Sequence, residues 1–262
     1  MPVRRLRRLR TTLGRQIARD SRCVGPQMTD LDCFRAEALR WFDSHWRLKL
    51  KRTDSPTAAD IDSYFARFKF LPESHRCLIG RGFRESLLKT VDGWYVQLGV
   101  GPREENPQYL LNRDAFANPS PEILVQTAVF VRLWPVFREL SLQPRFEYDD
   151  MDLTLERSRE SGLLAFLEFK ATDAGAARWL KNFQATVVGK VIPARPDQKR
   201  TLPEPIRKGI SLADHRPRAF AVLGVDFSRF FLVQHHADRR FDLIDAGSDA
   251  KIALEKAIQG AA

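Results

Sequence analysis

Leu163-Leu-Ala-Phe-Leu-Glu-Phe-Lys170 puts a carboxylate and an ammonium group at the end of an otherwise apolar run that begins just after Gly162. A run of this length and composition is the pattern of a β-strand, and two residues of spacing set Glu168 and Lys170 on one side of it. Upstream, Tyr148-Asp-Asp-Met-Asp-Leu-Thr-Leu-Glu156 reads as a second strand, joined to the first through the polar stretch 157–162. Alternation gives Asp152, Thr154 and Glu156 one face, and Leu153 and Leu155 the other. Leu163, Ala165, Leu167 and Phe169 are expected to share the side of the two leucines. If the strands are neighbours, Asp152, Glu168 and Lys170 converge at one end of a sheet.

Those residue types suit one chemistry. Mg²⁺ is a hard cation that takes carboxylate, carbonyl and water oxygens and commonly uses only one or two protein carboxylates. Asp152 and Glu168 fit that need, with Mn²⁺ an alternative ion. A cation there would polarise a phosphate and acidify a bound water, and Lys170 would orient that water or offset charge on the phosphate oxygens.

Asp152, fifteen intervening residues, and then Glu168-Phe169-Lys170 resemble the signature of the PD-(D/E)XK nuclease superfamily. The resemblance spans roughly residues 119–245. It implies a helix before a three-stranded meander, the Asp on the second strand, the E-x-K on the third, and a helix and a further strand after it. Ser120-Pro121 starts an apolar-periodic stretch reaching Leu140, with Ser120 as N-cap and Pro121 at the first helical position. Residues 144–149 are expected as the first strand, 174–190 as the following helix, and 219–225 and 230–234 as closing strands. The implied fold is α/β, a restriction-endonuclease-like mixed central sheet flanked by helices. The implied activity is metal-dependent hydrolysis of DNA. By the same resemblance Glu122 joins the metal ligands and Gln184 joins the catalytic group. One position departs from the pattern: Met151 stands where the superfamily has Pro before the Asp.

A bland account exists for each residue. Asp152 and Lys170 also suit a cross-strand ion pair worth a few tenths of a kcal/mol. Glu122 in a first helical turn favours the macrodipole by about 0.3–1 kcal/mol, and Gln184 suits a solvated helix face. Asp150 rivals Asp152 for the metal, with only one of them expected to face the site.

Charge narrows the location of any nucleic-acid surface. The net charge is +10, but residues 1–27 hold eight Arg and one Asp, so the remainder carries only +3. The basic start lacks an apolar core like that of a secretory signal. It is expected as a disordered tail or a gene-model extension before Met28. Residues 178–208 form a second basic concentration with a local excess of +6. Arg178, Lys181, Lys199 and Arg200 are its candidate contacts to a phosphate backbone, through a helix and then a Pro-rich basic loop holding Asp214 and His215. No run of eighteen apolar residues occurs. Cys23, Cys33 and Cys77 have neither disulfide-framework nor zinc spacing, and a cytoplasmic setting is expected.

Residues 28–115 read as a separate α+β region: helices over 30–46 and 57–68, then a hairpin over 85–100 around Asp92-Gly93. The nuclease-like domain is expected over 116–262. Trp41, Trp46 and Trp94 suit the core better than base stacking. Gly80-Arg-Gly82 and the pair His235-His236 lack the context of a phosphate loop or a catalytic dyad. The expectation is thus a Mg²⁺-dependent DNA nuclease. A homodimer would suit duplex cleavage. The alternative is a catalytically inactive nuclease-like module that binds nucleic acid or a protein partner.

Overall fold

A computed structural model of the chain describes residues 28–91, 95–98, 120–148, 150–157, 162–196 and 201–260. Three helices come first: α1 (Asp30–Ser44), α2 (Ala58–Ala66) and α3 (Glu73–Arg84). Thr29 and Asp32 close a reciprocal capping box at the start of α1, as Thr57 and Asp60 do for α2. A two-stranded ribbon, β1 (Leu88–Val91) with β2 (Tyr95–Leu98), follows them. Helix α4 (Pro121–Glu139) then leads into β3 (Gln143–Tyr148), β4 (Met151–Glu156) and β5 (Leu163–Phe169). Two more helices, α5 (Asp173–Val187) and α6 (Glu204–His215), precede β6 (Ala219–Leu223), β7 (Ser228–His235), β8 (Phe241–Gly247) and α7 (Ala250–Gln259).

Strands β3 to β8 form one six-stranded sheet in sequence order, antiparallel except between β5 and β6. That parallel pair decides the architecture. A chain leaving β5 must travel the length of the sheet before it can re-enter alongside, and α5 and α6 make that journey. The carboxyl ends of β5 and β6 therefore share one rim.

The sheet is covered on both faces. Leu153, Leu155, Ala165, Leu167 and Phe169 join α4 and α7 residues such as Val125, Ala128 and Leu254 in one apolar cluster. The same cluster runs on into α1–α3 through Phe34, Trp41, Phe68 and Phe83. The opposite face carries Phe166, Phe220, Val222 and Phe231 against α5 and α6. Each fully buried Phe of this set contributes about 1.5–3 kcal/mol of transfer free energy. Trp41 and Trp46 are core residues, as their helical spacing predicts.

The glycine pair of α3 is explained by packing. A Cβ on Gly80 would stand 1.8 Å from the Asp30 carbonyl oxygen, and one on Gly82 would meet Leu88 and Val131 within 2.7 Å. Glycine is what lets α3 lie against α1 and α4.

Two sequence expectations need correction. Leu163 packs with Phe166, not with Leu167, because a bulge between Leu155 and Glu156 moves the pairing from Leu155↔Ala165 to Glu156↔Leu163 and reverses parity. Residues 204–215, expected within a basic loop, are helix α6: Pro205 occupies its first turn, and Ile210, Leu212 and Ala213 are buried beneath it. The tail 1–27, the Asp92-Gly93 turn, Trp94 and the boundary near 115 lie outside the described residues. Among those described, no helix is long and apolar enough to cross a membrane.

Candidate metal centre

The register Leu153↔Leu167 brings Asp152, one step outward, opposite Glu168 at the end of the β4–β5 ladder. Asp152 does not extend into solvent there. Its Oδ2 accepts the Phe169 backbone N–H at 2.7 Å, and its own carbonyl accepts from Gln126 Nε2 of α4 at 2.8 Å. Glu122, in the first turn of α4, reaches the same rim. Ligand oxygens of Glu122, Asp152 and Glu168 lie within 4.8 Å of one another, and the three residues could hold a metal ion.

Lys170 ties the group together. Its Nζ donates to Glu168 Oε1 at 2.8 Å, to Glu122 Oε1 at 2.9 Å and to Glu204 Oε1 of α6 at 3.2 Å. The indole of Trp179 on α5 lies beneath the ammonium, 5.3 Å from ring centroid to Nζ, and donates from Nε1 to Glu204 at 3.1 Å. A second lysine enters from α6. Lys208 Nζ lies 2.5 Å from Glu168 Oε2 and 3.5 Å from Asp152 Oδ1, with its side chain only 6% exposed.

Charge and burial compete at this rim. Glu168 is buried, and the cost of desolvating its carboxylate, added to repulsion from Asp152, pushes it up to about 7. Burial likewise raises Asp152, against the pull of Lys208 and the Phe169 N–H. Burial alone would depress both lysines, but the surrounding carboxylates together, Glu168 foremost with Glu122 beside Lys170 and Asp152 beside Lys208, more than offset it and hold both above the usual lysine range. Glu204 is drawn down by Lys170 despite partial burial. With every group ionised, four carboxylates face two ammonium groups, leaving the charge that one divalent cation balances. Oxygen-only donors of this kind suit hard cations.

The structure thus gathers Glu122, Asp152, Glu168 and Lys170. Asp150 is not a competing ligand: it sits in the β3–β4 turn with φ +68°, and its carboxylate pairs with Arg207 at 2.6 Å. Gln184 is exposed on α5, and the turn of that helix nearest Lys170 carries Trp179 instead. Arg178 and Lys181 are exposed on the same helix, while Lys199 and Arg200 lie outside the described residues. Asp214 is held by Arg239 at 2.6 Å and Arg195 at 2.9 Å. His215 packs edge-on against Phe166. His235 bonds the Pro217 carbonyl and His236 bonds Asp242, so neither histidine faces the other's partner.

Glu204, Lys208 and Trp179 also line the candidate site, and the sequence did not single them out for it. Their one signal is the i, i+4 spacing of Glu204 and Lys208, which becomes visible once Pro205 is taken as a helix start rather than a loop marker. Comparison with protein-family models, with curated proteins and with solved structures gave no match.

Proposed function

We propose that this chain is a metal-dependent nuclease of the PD-(D/E)XK kind, hydrolysing phosphodiester bonds of DNA with Mg²⁺, or Mn²⁺ in its place. The observation that carries the reading is the meeting of Glu122, Asp152 and Glu168 within 4.8 Å, with the Lys170 ammonium 2.8 Å from Glu168. The element order adds support. A helix precedes the meander β3–β4–β5, Asp152 opens its second strand, Glu168 and Lys170 end its third, and α5 and β6 come after.

In this reading Asp152, Glu168 and Glu122 hold the cation. A divalent ion so held would polarise a phosphate oxygen and lower the pKa of a bound water. Lys170, pinned by three carboxylates over an indole, has little freedom, and it orients a water at the rim or balances charge on the phosphate oxygens. The Phe169 N–H fixes one oxygen of Asp152 and leaves Oδ1 for ligation. Arg178 and Lys181 on α5 add positive charge for a DNA backbone, and two copies of the chain would serve a duplex.

One observation favours a second reading, an inert nuclease-like module that binds nucleic acid or a protein. Lys208 already offsets part of the charge of Asp152 and Glu168 from within the chain. Cleavage of plasmid and single-stranded DNA, with Mg²⁺ and with chelator, separates the two. Metal-dependent cleavage by the wild type that Lys170→Ala abolishes supports the enzyme. Equal products from both proteins would remove it.

A further inference from the structure

We infer that Lys208 is a tethered counter-ion of this centre, seated where a divalent cation would bridge Asp152 and Glu168, so that metal loading is an exchange with its ammonium group. The inference rests on the metal-site reading above and concerns how that site fills.

The carboxylate oxygens divide between those committed elsewhere and those facing Lys208. Each of the two carboxylates has one oxygen already committed: Asp152 Oδ2 to the Phe169 N–H at 2.7 Å, and Glu168 Oε1 to Lys170 at 2.8 Å. The remaining oxygens, Asp152 Oδ1 and Glu168 Oε2, are the pair a bridging cation would use. Both face Lys208 Nζ, at 3.5 Å and 2.5 Å. A divalent ion bound to both would stand within about 4 Å of a positive charge in a poorly solvated place, a repulsion of several kcal/mol even at an effective dielectric near 20. The two cations exclude one another.

The helix of Lys208 is held by buried Gly209, Ile210 and Leu212, so α6 stays while the four-carbon stem of the lysine moves. One helical turn earlier on the same side, Glu204 is 40% exposed and offers a carboxylate toward the solvent edge of the site. Its Oε1 already accepts from Lys170 and Trp179, so a displaced Lys208 ammonium would have its other oxygen, Oε2, to turn to. Lys170 differs, because its contacts with Glu122 and Glu204 do not use the bridging oxygens.

Titration of the full chain with MgCl₂ and with MnCl₂ by calorimetry tests the exchange. Lys208→Gln and Lys208→Met, with folding verified by circular dichroism, are expected to bind either ion at least tenfold more tightly than the wild type. Metal binding seen only in these two variants also supports the inference, with Lys208 then a plug that metal alone does not expel. If both variants bind metal no better than wild type while Asp152→Asn still abolishes binding, the exchange is overturned and the metal site stands. If neither the wild type nor either variant binds metal, the inference and the metal-site reading fall together.

Discussion

Phe169 donates its backbone N–H to Asp152 Oδ2 at 2.7 Å, so the end of β5 is closed by a side chain of β4 rather than by its backbone. This contact fixes the direction of the carboxylate before any ion arrives. A preset ligand loses less freedom on binding than one on a mobile loop.

Asp152→Asn separates the two roles of that residue. The amide oxygen still accepts from Phe169, so the change in unfolding free energy is expected to stay within about 1 kcal/mol. Metal affinity measured by calorimetry is expected to fall below detection, with cleavage reduced by about a hundredfold or more. A variant with full metal affinity would remove Asp152 from the ligand set.

Lys170→Met should act on rate rather than on ion binding. Loss of a charge-stabilising donor at a reacting phosphate costs about 10²–10³ in kcat. The three carboxylates meanwhile lose a neighbouring positive charge, and Mn²⁺ affinity is expected to hold or rise. Parallel single-turnover cleavage and calorimetry read the two effects separately.

The metal-free protein should lose stability as pH rises from about 4.5 to about 7. Burial, and then the charge of Asp152, raise the Glu168 carboxyl to about 7, so the folded chain binds a proton there that the unfolded chain has released. Stability from this group is greatest below about 4.5 and declines through about 7, by something on the order of 3 kcal/mol. Asp152, raised for the same leading reason, adds a slope of the same sign. Lys170 and Lys208 stay protonated in both states across this window and add none. Thermal unfolding at pH 5 and pH 8 with chelator measures the effect, and Mg²⁺ at pH 8 is expected to restore part of the loss. A pH-independent midpoint would contradict the account.

Gly80→Ala is a structural control outside the acidic cluster, at the contact between α3 and α1. The new Cβ would fall 1.8 Å from the Asp30 carbonyl oxygen, a backbone atom that moves only with helix α1. We expect a loss of at least about 2 kcal/mol in urea denaturation, although alanine ordinarily favours a helix by about 1 kcal/mol over glycine.

The sheet and its acidic rim were legible because period-two alternation is a local signal. Leu153 and Leu155 against Asp152, and Leu167 and Phe169 against Glu168, state their faces without any partner. Ser120-Pro121 likewise marks the start of α4 through its own backbone chemistry. Leu163 was misplaced because a bulge is a property of two strands together. Helix α6 was missed because Pro203 and Pro205 read as loop residues when taken singly, although a proline in the first helical turn costs no hydrogen bond. Glu204 and Lys208 were lost with it. The glycines of α3 concealed a helix for a similar reason, since only the neighbouring α1 backbone explains why a residue without a side chain is needed there.

Strands β5 and β6 lie side by side, yet in sequence they are separated by the whole excursion that carries α5 and α6. Asp152 and Glu168, together with Lys170, belong to the strand layer, whereas Trp179, Glu204, Lys208 and the exposed cations of α5 belong to the inserted segment. The division makes the acidic rim and the segment packed over it separately replaceable. An altered length or charge in the inserted segment would change what surrounds the acidic rim, while the strand layer kept its shape.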